Sequence, residues 1–163
     1  MIEFEYLNKV ELSEHAQEIF EILSSNMVKI APTGNSLEED YRHWFGCIGD
    51  SLQREERQIV LVKDKDNIVG YFQYSTNADT FFMEEIQLRA EYQGKGVFRA
   101  LYGFVMENIK PELKLVDAYA STCNKKSISI LEMLGLKNIG MNKNGRSYHF
   151  KGDFVDLVKW YEK

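Results

Sequence analysis

Apolar positions at Ala16, Ile19, Phe20, Leu23 and Met27 recur at helical spacing, and Pro32 follows. The pattern predicts an amphipathic helix over residues 12–30, preceded by a short strand at 2–7. Ser36 and Glu39 form a capping-box pair ahead of Leu37, Tyr41, Trp44, Phe45, Ile48 and Leu52, which marks a second amphipathic helix. The period then changes. Residues 58–63 and 68–75 are β-branched and aromatic, and Asp64-Lys65-Asp66-Asn67 between them reads as a hairpin turn. Asn77-Ala78-Asp79 turns the chain again into a third run, residues 80–88.

Helical spacing returns at Val97, Leu101, Phe104 and Val105, with Pro111 as the stop. Residues 115–121 read as a strand. Residues 125–134 read as a helix closed by Gly135 as a left-handed cap, with Leu136 behind it. Residues 137–141 and 146–151 look like a hairpin around 142–145, and residues 153–161 suit a last helix. The order, antiparallel hairpins first and strand–helix–strand later, predicts an α/β fold with a mixed, mostly antiparallel central sheet and helices on both faces. At 163 residues, with no linker-like or repetitive stretch, the chain is expected to form a single domain spanning residues 1–163.

Composition narrows the partners. Hydrophobic residues make up 44%, with 10 Phe, 9 Tyr and 2 Trp, so the chain can bury a core. A net charge of −5 argues against attraction to nucleic acid or an anionic membrane surface, which needs a basic face. No apolar run approaches the roughly 20 residues of a membrane span. The first residues lack the basic-then-apolar profile of a signal peptide, so a cytoplasmic location is expected. Cys47 and Cys123 make no disulfide framework, and no Cys/His spacing suggests a metal.

The chemistry-bearing stretch lies between the third hairpin strand and the third helix. There Glu84-Glu85-Ile86-Gln87-Leu88 runs through Arg89–Tyr92 into Gln93-Gly94-Lys95-Gly96-Val97-Phe98. Glycines between a strand and a helix admit positive φ and close approach of a ligand to the backbone. The unpaired N–H groups of the helix start form an anion site. A lone Gly-x-Gly is more often a plain tight turn. Gly96 after Gly94-Lys95 excludes a P-loop, and Arg99 occupies the place where a dinucleotide fingerprint needs a third small residue.

Gln93-Gly94-Lys95-Gly96-Val97-Phe98 resembles the Gln/Arg-x-x-Gly-x-Gly/Ala motif of the GNAT superfamily of N-acetyltransferases. A second segment, Asn124-Lys125-Lys126-Ser127 through Glu132-Met133-Leu134-Gly135-Leu136, is similar to that family's Asn-x-x-Ala/Ser…Glu-x-Leu-Gly-Phe stretch. Asp66-Asn67-Ile68-Val69-Gly70-Tyr71 resembles its second hairpin. The resemblance implies an acetyl-coenzyme A co-substrate whose pyrophosphate sits on the amides of residues 93–98. Its pantetheine arm would pair with the strand at Ile86, Gln87 and Leu88, bordered by Asn124 and Ser127. It also implies direct attack of an amine from a small-molecule or peptide acceptor, and it leaves a homodimer open. Two departures stand out. Phe98 replaces the last small residue of the first motif, so its ring must turn away from the pyrophosphate. Leu131 occupies the place where many members carry a tyrosine that protonates the leaving thiolate.

A protonated amine has no lone pair, so a base is needed. Glu84 and Glu85 are the base candidates that the resemblance suggests, and strand alternation is expected to put them on opposite faces, so that at most one serves. Either alone reads equally well as a surface charge. The oxyanion would be held by amides near Leu88. Tyr119 is a candidate acid, although a core or lid tyrosine is the simpler reading. Cys123 is expected as a buried small hydrophobe, and His15, His43 and His149 have no visible partner. The competing reading is a non-catalytic GNAT-like module that binds coenzyme A or a partner; Phe98 and Leu131 favour it.

Overall fold

The computed structural model describes residues 1–53, 56–109 and 112–163. Within these residues seven strands form one sheet: β1 (Ile2–Tyr6), β2 (Arg57–Asp64), β3 (Asn67–Asn77), β4 (Thr80–Leu88), β5 (Leu115–Ser121), β6 (Lys137–Met141) and β7 (Ser147–Asp153). Their spatial order is β1-β2-β3-β4-β5-β7-β6. Every pairing is antiparallel except β4 with β5. Among the described residues five α-helices flank it: α1 (Leu12–Met27), α2 (Leu37–Ser51), α3 (Val97–Glu107), α4 (Lys125–Met133) and α5 (Phe154–Glu162). The expected mixed, mostly antiparallel α/β sheet is what forms.

β2 shows why both faces need helices. Its centre, Ile59-Val60-Leu61-Val62, is buried throughout. Because successive side chains alternate, Ile59 and Leu61 pack with Ala16, Ile19 and Ile22 of α1. Val60 and Val62 join Leu101 and Val105 of α3 and Leu157 of α5. Each such side chain, once sealed from water, contributes roughly 1.5–3 kcal/mol. The tight β2–β3 turn is shorter than the four residues expected, since Asp64 and Asn67 already pair across it.

The predicted caps form. The Ser36 hydroxyl accepts from the Glu39 amide at 3.2 Å. At the end of α4, Gly135 is left-handed (φ 96°), its amide donates to Glu132 O and the Leu136 amide to Leu131 O, which satisfies the last carbonyls. Two expectations shift. α1 ends at Met27, not residue 30, and a turn through Ile30 and Ala31 completes it. α2 packs more lightly than its pattern suggests: Leu37 is exposed and Ile48 is its one buried residue, while Tyr41 and Trp44 form an aromatic cluster with Phe20. Pro111, the expected stop of α3, lies outside the described residues.

Candidate active site

β4 and β5 run side by side only from Thr80↔Leu115 to Met83↔Ala118. Beyond that point β4 continues to Leu88 on β3, while β5 continues to Ser121 on β7. A cleft of about 670 Å³ opens where they part, at the carboxyl ends of the two parallel strands, where such folds bind ligands. The divergence has a local cause. Gln73 pairs with Glu85 and Tyr74 with Met83, so Glu84 is an extra residue, a β-bulge that bends β4 away from its neighbour.

The bulge also overturns the expected alternation. Glu84 and Glu85 lie on the same face of the sheet, the one covered by α1 and α2, because the inserted residue cancels one step of the two-residue period. Glu84 accepts from Arg57 Nε at 2.7 Å through Oε1, pairs with the same guanidinium through Oε2, and lies 3.4 Å from Gln73 Nε2. Both ion-pair side chains are largely buried, at 11% and 17% exposed. Among the described residues Glu85 has no such cation. It accepts from Gln87 Nε2, and burial raises its carboxyl above the usual range while that hydrogen bond partly lowers it. Both carboxylates border the cleft.

The glycine turn closes the other end. Gly94 (φ 74°) and Gly96 (φ 79°), the latter capping α3, are left-handed, a conformation that other residues adopt only with strain. An added Cβ at either would meet nothing within 4 Å, so the backbone here is open to a ligand. Gln93 Nε2 donates to Leu88 O at 2.9 Å, and Lys126 Nζ from α4 donates to Gln93 Oε1. The Phe98 ring lies against Tyr102 (centroids 4.9 Å apart) and Trp160 (6.3 Å) while still bordering the cleft.

Most predicted site residues border this one cleft. Ile86, Gln87 and Leu88 line one wall, with Gln93, Gly94 and Phe98 at the turn. Asn124 and Ser127 line the opposite wall, where the Asn124 side chain caps α4 by accepting from the Ser127 amide at 3.1 Å. Lys95, Gly96 and Val97 do not line the cleft itself; Gly96 borders a shallower surface beside α3. Leu131 is buried against the cleft on the α3 side.

Tyr119 is not a core residue. It is 45% exposed on the α1 side of the sheet and stacks on His149 at 4.5 Å. His149 Nε2 lies 3.0 Å from Asp117 Oδ1, a pairing that the sequence did not reveal. β5 alternates, so Tyr119 and Leu131 lie on opposite sides of the sheet, with Ala118 and Ala120 in the core with Leu131. Cys123, expected to be buried, is exposed, as is Cys47. Sequence reasoning also missed Arg57, Asn26, Lys29 and Tyr102. Tyr102 is a buried cleft residue whose hydroxyl lies 2.9 Å from Met83 Sδ, and burial holds it protonated far above the usual tyrosine range.

A mixed sheet parted between two parallel strands, with a glycine turn leading into a helix at the gap, defines an acyltransferase-type architecture. The chain belongs to the GNAT acetyltransferase family, whose sequence model matches residues 16–136. Among solved structures it is similar to a PaiA N-acetyltransferase from Thermoplasma acidophilum in complex with coenzyme A (14% identity, TM-score 0.76, 94% of this chain and 99% of that one). It is also similar to an acetyltransferase from Streptococcus agalactiae (14%, TM-score 0.74, 94% and 98%). The aminoglycoside acetyltransferase AAC(6')-Ib, in complex with coenzyme A, aligns at 15% with TM-score 0.63 over 98% of both chains. No curated protein matches the sequence. Among the described residues, no helix is long and apolar enough to cross a membrane.

Proposed function

We propose that this protein, acting as one domain, transfers an acetyl group from acetyl-coenzyme A to a primary amine, with Glu85 as the base. The observation that carries the reading is the contrast between two adjacent carboxylates. Glu84 is neutralised by Arg57, whereas Glu85 borders the cleft with, among the described residues, an amide donor and no cation, and its burial raises its proton affinity. The open turn at Gly94 and Gly96 fits a pyrophosphate. Amides at the α3 N-terminus would hold it, with Lys126 near enough to add a cation. The solved relatives with coenzyme A bound support the same assignment for this chain.

In this reading Glu85 accepts the amine proton, directly or through water, as the C–N bond forms. The C–S bond then breaks and the thiolate takes a proton. Leu131 offers none, so solvent supplies it. The position of Tyr119 on the Glu85 face supports a part on the amine side of the reaction. Leu131 is the observation that favours the second reading, a cofactor-binding module without turnover. Titration calorimetry with acetyl-coenzyme A, followed by a thiol-release assay over a panel of amines, separates the two. Binding together with amine-dependent thiol release supports the enzyme; binding without release supports the module; absence of binding at millimolar concentration defeats both.

A further inference from the structure

The base is not held by its own rotamer alone. Asn26, in the last turn of α1, uses both hydrogens of its side-chain amide: Nδ2 donates to Leu88 O at 2.9 Å and to Gln87 Oε1 at 2.8 Å. A backbone carbonyl can only accept, so the orientation of the Asn26 amide is fixed. That in turn fixes Gln87, whose Oε1 faces Asn26 and whose Nε2 donates to Glu85 Oε1. Leu88 O is shared with Gln93 of the glycine turn. One set of hydrogen bonds therefore runs from the glycine turn, across the end of α1, to the base. Tyr71 stands opposite Gln87 on β3, diagonal to Glu85, fully buried and with no hydrogen-bond partner for its hydroxyl among the described residues.

We infer that Asn26 and Gln87 are positioning residues for Glu85: Asn26 locks the Gln87 amide so that its N–H faces the carboxylate, which holds the base at the cleft and stabilises its ionised form. This rests on Glu85 being the base. Other groups face that carboxylate. Gln73 stands opposite it and Tyr71 diagonal to it on β3, the Arg57–Glu84 pair is its strand neighbour, and Lys29, Arg89 (paired with Glu21) and Tyr119 line the same cleft. Gln87 differs from these in giving Glu85 a direct donor.

The test uses Gln87→Met, which keeps the shape and removes the donor, and Asn26→Leu, which releases Gln87 from a different element. Loss of a hydrogen bond to a charged acceptor should move the acid limb of kcat/KM for the amine upward by about one pH unit. The Glu85 carboxyl, followed by carbon-13 NMR in the cofactor-free protein and assigned with Glu85→Gln, should titrate higher by the same amount in both variants. A lower melting temperature with an unmoved limb and an unmoved NMR titration would reduce the pair to packing and overturn the inference. Should Glu85→Gln itself retain full activity, the base assignment is what fails. The NMR titration then still decides whether Asn26 and Gln87 control that carboxyl.

Discussion

Glu84 and Glu85 are neighbours on one bulged strand, and replacing each by glutamine should produce opposite effects. Glu84→Gln breaks the paired contact with Arg57 and leaves a largely buried guanidinium without its counter-charge. Breaking a buried pair from one side costs about 3–5 kcal/mol, and slight exposure of this pair argues for the lower end. At about 2–4 °C per kcal/mol for a domain of this size, the melting temperature should fall by roughly 6–12 °C. Turnover of the folded fraction should change little.

Glu85→Gln should do the reverse. Its carboxyl is raised by burial, so the folded state holds that proton more tightly than the unfolded chain. Such a group stabilises the fold fully below its unfolded pKa, and that contribution is lost as pH rises through the higher folded value. Once ionised, the carboxylate is therefore a cost to the fold, and Glu85→Gln should gain in melting temperature on the wild type as pH rises. The gap should widen from acid to neutral pH. Removing the base should lower kcat by about 10²–10⁴-fold. Calorimetry over a pH series and a thiol-release assay on both variants read all four quantities. Equal melting shifts, or equal and small rate losses, would refute the division of labour between the two carboxylates.

Other outcomes follow from the same geometry. Gly94→Ala meets no neighbour but must hold φ 74°, so it should cost about 1–2 kcal/mol in thermal unfolding and weaken acetyl-coenzyme A binding in calorimetry by much more. Leu131→Tyr puts a phenol on the thiol side of the cleft; if leaving-group protonation limits, steady-state kcat should rise with little change in cofactor affinity. Tyr119→Phe, on the other face, should alter the KM for the amine more than kcat, and a kcat loss rescued by Leu131→Tyr would contradict that placement. Ser36→Ala removes the α2 cap and should destabilise by about 1 kcal/mol in denaturant titration without touching activity.

The fold was legible because its signals are local. The Ser36–Glu39 cap, the Gly135 stop and the β-branched and aromatic runs of β2 and β3 each need only a few neighbouring residues, and each formed. The glycine turn was legible for the same reason, since positive φ at Gly94 and Gly96 is written in residue type. The bulge at Glu84 was not. Phe-Phe-Met-Glu-Glu-Ile-Gln-Leu carries no mark of where two residues oppose one, and that single step moved a carboxylate to the other face. Arg57, Asn26 and His149 were missed because their roles depend on pairings across 27, 61 and 32 residues of chain. α2 was over-read, because helical spacing predicts a face but not how much of a partner lies beneath it.

Transfer itself is the most direct test. Wild-type protein incubated with acetyl-coenzyme A and a panel of primary amines should release free thiol in equal measure with an amine that has gained one acetyl group by mass spectrometry. The rate should rise with pH through the Glu85 ionisation and collapse in Glu85→Gln. Tight cofactor binding with no acetylated amine across the panel, or transfer that survives Glu85→Gln unchanged, would contradict the account.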